Sequence, residues 1–194
     1  MSLQTQNADM QTDEDSGSLE RKPPATVPRD LHAGFSLIDT CKFKISTVEQ
    51  AAALSRFAAA MFRDPVRLEP GLYALMLNAV EHGCLEIGYD LKNRLLADGH
   101  WQAEIQRRQS LPQNRQKTVE IVIARRPEGV FIVITDPGSG FDWKSWINID
   151  PARARDTHGR GIARARGVSF DSLAYNAAGN QVALHVRDVA PAKW

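Results

Sequence analysis

The stretch Val130-Phe131-Ile132-Val133-Ile134-Thr135-Asp136-Pro137-Gly138-Ser139-Gly140-Phe141 runs from five apolar side chains into a carboxylate and two glycines. A short apolar run bounded by turn-forming residues predicts a buried strand. The end of that strand then delivers Asp136 into a pocket, and Gly138 and Gly140 let main chain approach a ligand because no Cβ stands in the way. A tight surface turn is the plainer reading of Asp-x-Gly-x-Gly taken alone. The apolar strand in front of it favours the pocket.

Two further segments can share that pocket. In Leu77-Asn78-Ala79-Val80-Glu81-His82-Gly83, Asn78 and His82 are four residues apart and fall on one face of a helix. In His158-Gly159-Arg160-Gly161-Ile162, two glycines precede a short helical pattern, and backbone amides at such a start attract anions. Arg160 adds charge there, and His158 either touches the anion or braces the loop.

In this order the three segments resemble the N, G1 and G2 boxes of the GHKL superfamily of ATPases, which includes sensor histidine kinases, DNA gyrase and the mismatch-repair ATPases. The match is nearest to the bacterial branch of anti-sigma-factor serine/threonine kinases and related stand-alone ATP-binding domains, and it spans roughly residues 35–186. The resemblance implies a Bergerat-type fold, a two-layer α/β sandwich whose mixed, mainly antiparallel sheet is covered by helices on one face. It implies ATP or ADP with Mg²⁺ as ligands. Asn78 is then the magnesium ligand, since a hard cation takes oxygen donors and shares its site with phosphate. Asp136 accepts from the exocyclic amine of adenine, where guanine carries a carbonyl. His82, Gly138, Gly140, Phe141, His158, Gly159, Arg160, Gly161 and Ile162 complete the nucleotide site. Implied partners are a sigma factor, an anti-sigma antagonist or a response-regulator-like protein, with a homodimer left open.

Two departures bear on catalysis. Active kinases of this branch carry a Glu four residues before the N-box Asn, where this chain has Ala74; alanine accepts no proton. A Thr common in the family's last pocket strand is matched here to Ala183. Glu81, three residues after Asn78, is a weak substitute base. The resemblance therefore implies a regulatory domain that binds adenine nucleotide and acts through protein–protein interaction, with kinase turnover weak or absent. A serine/threonine kinase and an interaction domain that binds no nucleotide are the alternatives.

With 194 residues the chain can build one substantial core. The expected division is a disordered polar tail over 1–30 and one ATP-binding domain over 31–194. Residues 1–30 hold six acids against three bases, so the +1 formal charge of the whole becomes +4 on the rest. That is too mild to imply nucleic acid, and the arginines at 153, 155, 160, 164 and 166 lack a groove-reading or stacking element. Two cysteines, Cys41 and Cys84, and no secretory pattern predict buried free thiols in a cytoplasmic protein without membrane insertion. The histidines His32, His82, His100, His158 and His185 form no spaced metal set.

Along the chain, Cys41–Ile45 alternates as a strand, and Thr47 with Gln50 caps a helix whose inward stripe is Ala51, Leu54, Ala58 and Met61. Pro65 is expected to end it, a second helix to run from Glu69-Pro70 to Gly83, and a third helical region to break at Gly99. Strands are expected over 118–123 and 130–134, separated by a turn over 125–129. Residues 141–160, with packing aromatics Trp143 and Trp146, suit a lid. Gly161–Arg166 reads as a short helix, and Ser169-Phe170 and Val182–Val186 as closing strands around the turn at 176–180.

Overall fold

The computed structural model describes residues 29–146 and 161–187, with side chains from residue 33 onward in its first segment. Residues 1–28 of the expected tail, residues 147–160 of the expected lid and the site residues His158, Gly159 and Arg160 lie outside the described residues.

Residues 29 and 30, the end of the expected disordered tail, are already helical. Helix α1 spans Arg29–Ser36 and lays Phe35 edge-on against Phe57, with ring centroids 5.7 Å apart. Phe57 also meets Phe43 at 5.9 Å, so one exposed-edge phenylalanine joins the helix to strand β1, Thr40–Ile45. Helix α2, Val48–Ala60, starts with the expected capping box. The Thr47 hydroxyl accepts from the Gln50 amide at 3.2 Å, and the Gln50 side chain reaches back to the Thr47 amide. Its predicted stripe of Ala51, Leu54, Ala58 and Met61 is buried.

The second helix begins one turn ahead of the sequence expectation. Helix α3 spans Pro65–Asn78, with Asp64 accepting from the Arg67 amide at 3.1 Å. Both prolines looked like boundaries, but only Pro65 sits where no amide is needed. Pro70 lies inside, and the carbonyl it deprives belongs to Val66, which is 64% exposed. Nor does Gly83 stop the helix. The chain widens into a π turn over Ala79–Cys84, closed by the Leu85 amide donating to the Val80 carbonyl at 2.9 Å. Helices α4, Tyr89–Ala97, and α5, Trp101–Ser110, follow with the expected break at Gly99, where φ is +69°.

Strands β2, Val119–Arg126, and β3, Gly129–Thr135, are longer than expected and leave only Pro127-Glu128 as the turn. Helix α6, Gly161–Arg164, continues as a π turn over Ala165–Ser169. Ser169-Phe170 is therefore not a strand. Phe170 is instead buried, and the strand β4 forms at Ser172–Tyr175 before β5 at Gln181–Val186.

The sheet order is β1-β2-β3-β5-β4, and each of its four pairings is antiparallel. Period-two alternation sorts the side chains cleanly. Ile121, Ile132, Ile134, Val182 and Leu184 face the helices and are buried, with Ile121 opposite Ile134 and Ile132 opposite Leu184. The other face carries Phe131, Ala183 and the Lys42–Glu120 ion pair, and is open to solvent. A two-layer α/β architecture results, with helices over one side of a mainly antiparallel sheet. No described helix is long and apolar enough to cross a membrane.

Thr47→Ala removes the hydroxyl that satisfies the first turn of α2. It should cost about 1 kcal/mol, read as a lower urea midpoint with the slope of the transition unchanged.

Candidate functional site

A cavity of about 640 Å³ opens where the C-terminal end of α3, the loop after β3 and the start of α6 converge. Asn78, His82, Asp136, Gly138, Gly140, Phe141, Gly161 and Ile162, widely separated in the chain, all line it. The volume falls within the range of small-molecule sites.

Asp136 sits at the end of β3 because the register ties it there, its amide donating to the Asn180 carbonyl at 2.9 Å. One carboxylate oxygen accepts from the Gly138 amide at 2.8 Å, the only hydrogen bond to this carboxylate among the described residues. Burial pushes the carboxyl pKa above its usual value of 3.8, and the Gly138 bond opposes this without cancelling it. The π turn presses directly against the same group: a Cβ on Gly83 would overlap the Asp136 side chain. Gly140 is fixed by a different constraint. Its φ of +86° is left-handed, and a Cβ there would run into the Ala178 carbonyl.

On the helix wall, Asn78 is half-buried, and its side-chain amide has no hydrogen-bond partner among the described residues. His82 donates from Nδ1 to the Ile87 carbonyl. Burial lowers its pKa, with the Ile87 bond and the Glu81 charge opposing and Lys92 adding to the fall. The ring is therefore neutral at physiological pH, with Nε2 unprotonated. An amide oxygen suits a hard metal ion that shares its site with phosphate, and the bare Nε2 of His82 offers a hydrogen-bond acceptor without a charge.

Glu81 does not face the cavity. It is fully buried, with Oε2 paired to the Lys92 ammonium and Oε1 accepting from Trp101 Nε1 at 2.7 Å. Both oxygens are engaged, so the weak substitute base suggested by its spacing from Asn78 is not free to take a proton. Ala74 lies beside α6: a Cβ on Gly161 would come within 3.2 Å of the Ala74 methyl. Ala183 also departs from its expected place. Strand alternation turns it to the open face, and the inward neighbours lining the cavity are Asn180 and Val182.

Several lining residues escaped the motif reading. Tyr175 meets Phe141 edge-on at 5.4 Å, stacks with Trp143 at 5.8 Å, and has its hydroxyl pKa raised by burial and by Asp136. Asn180 donates from its side chain to the Gly138 carbonyl at 3.2 Å, bracing the glycine loop. Asn176 organises that turn, its Oδ1 accepting from the Gly179 amide at 2.7 Å. The signal was present as turn chemistry in Asn176-Ala177-Ala178-Gly179-Asn180, but nothing in it pointed at Asp136. Tyr89 and Trp146, with ring centroids 4.5 Å apart, form the rim. Trp143 and Trp146 are packing aromatics, as expected.

Because burial raises the Asp136 carboxyl pKa, the folded protein holds that charge less readily than the unfolded chain. The stability this group costs is present at neutral pH and disappears as pH falls below the unfolded value. Asp136→Asn, which keeps an acceptor for the Gly138 amide, should raise the melting temperature of the nucleotide-free protein at neutral pH and give no gain at about pH 3. Gly83→Ala should lower it at both, since the methyl meets the side chain whether charged or not.

No protein-family model matches the chain, and no curated protein matches it. The functional reading rests on the motifs and on the geometry that carries them.

Proposed function

We propose that this chain is an adenine-nucleotide-binding regulatory domain of the GHKL type, with a Bergerat-type fold, that acts through protein–protein interaction and has weak or absent kinase turnover. The observation that carries this reading is the meeting of Asp136 with Gly83 and Gly138 at one side of a cavity whose other wall presents Asn78. A carboxylate with an oxygen not bonded to any described residue accepts from the amine of adenine. Around it Gly83 and Gly138 let the main chain pack directly against the carboxylate and fix its position.

Asn78, whose amide oxygen lacks a partner among the described residues, would hold Mg²⁺ beside the phosphates of ATP or ADP. Bound there, the ion supplies charge neutralisation of the polyphosphate. The chain's own contribution is to present Asn78 from the end of α3, to hold His82 neutral through burial while the Ile87 carbonyl fixes its ring, and to exclude water with Phe141, Tyr175 and Ile162.

Support for low turnover comes from proton acceptors. At Ala74 there is none, and Glu81 is buried with both oxygens engaged. Loss of a general base typically lowers rate about 100- to 10,000-fold, while binding groups are retained. The partner is then a bacterial regulatory protein such as a sigma factor, an anti-sigma antagonist or a response-regulator-like protein, and nucleotide state sets the surface it meets.

Calorimetric titration should show MgATP and MgADP binding and MgGTP rejected. Asp136→Ala should weaken MgATP by about 10- to 100-fold, the scale of a hydrogen bond to a charged group, and Asn78→Ala should remove the benefit of Mg²⁺. Unchanged affinity in both variants eliminates the site. Hydrolysis and partner phosphorylation should stay near background, and robust phosphorylation of a captured partner overturns the low-turnover reading.

A further inference from the structure

Lys92 is the one Lys or Arg among the described residues lining the cavity. It comes from α4 and belongs to none of the three motif segments. Its side chain is 11% exposed, and its ammonium pairs with Glu81, whose side chain is fully buried. Trp101, the first residue of α5, occupies the other Glu81 oxygen. The carboxylate is thereby saturated and fixed in place from two helices.

The ammonium is not saturated. It carries three N–H donors, one goes to Glu81, and no other described residue accepts from it. Two donors thus remain on a largely buried cation at a cavity wall. Those donors stand at the cavity, where oxygens of a bound anion would satisfy them. Tethering also removes the usual entropic penalty of ordering a lysine chain, because Glu81 has already ordered it. The charges around it agree with an anion. His82 beside it is neutral, and the rim carboxylate Glu86 is taken up by Lys117 at 2.5 Å.

We propose that Lys92, held by Glu81 and Trp101, contacts the phosphates of the bound nucleotide, so that the α4–α5 hairpin supplies a wall of the site that the three motifs do not contain. This rests on the adenine-nucleotide reading above. Glu81 and Trp101 are positioning residues, and Lys92 is the binding residue.

The test compares MgADP with adenosine, which shares the base and sugar but carries no phosphate. Lys92→Met strands the Glu81 charge and can unfold the protein, so the decisive variant is the double Glu81→Gln/Lys92→Gln, which removes both charges and keeps an amide to accept from Trp101. In the full-length chain, the double variant should lose about 10- to 100-fold in MgADP affinity and bind adenosine as the parent does. Lys92→Arg should retain most of the MgADP affinity. Equal losses for MgADP and adenosine would show that the cluster only shapes the pocket, and unchanged MgADP affinity would show that Lys92 does not reach phosphate; either overturns this inference while leaving nucleotide binding intact. A parent that binds neither ligand defeats the nucleotide reading itself, and this inference with it.

Discussion

The contact between Gly83 and Asp136 joins the two layers of this protein at its cavity. A helix can approach the end of a strand this closely only where it lacks a side chain, and the π turn over Ala79–Cys84 brings the glycine to that point. Beyond Asn78, the last residue of regular α3, the same widening sets His82 on the cavity wall and sends Glu81 into the interior. If α3 continued in regular helical register, Glu81, His82 and Gly83 would take different directions. One local irregularity of hydrogen bonding thus couples the Asp136 end of the cavity to its helix wall.

Much of the fold was legible because it follows simple periodicities. The capping box at Thr47 and Gln50, the alternating strands and the break at Gly99 all came from local rules. Errors arose where two local signals competed. Pro65 and Pro70 both announce a boundary, and only the tertiary placement of α3 decides that the first is the start while the second is tolerated inside. Ser169-Phe170 has strand-like composition, yet Phe170 is needed in the core beneath Gly71, so the chain stays helical through Ser169, past the expected end at Arg166, and the strand is displaced.

The candidate site was legible in its glycines and in Asp136, because an apolar strand leading into Asp-x-Gly-x-Gly carries those residues to the cavity wall. It was much less legible in its supports. Nothing in the spacing of Glu81, Lys92 and Trp101 links them; they meet because α4 and α5 fold back over the π turn. Ala183 misled for the opposite reason, since a one-residue offset in a strand exchanges its two faces. A motif can therefore identify which residue types gather at a cavity while leaving undetermined which charges are spent inside the protein and which remain for a ligand.

The approach of Ala74 to Gly161 also limits how the two positions can vary. A methyl on Gly161 would stand 3.2 Å from the Ala74 methyl, so each residue restricts the size the other can reach. Growth at either position is conditional on movement of the neighbouring helix. The two sites are thus coupled: a side chain tolerated at one depends on what stands at the other, and their substitutions are not independent.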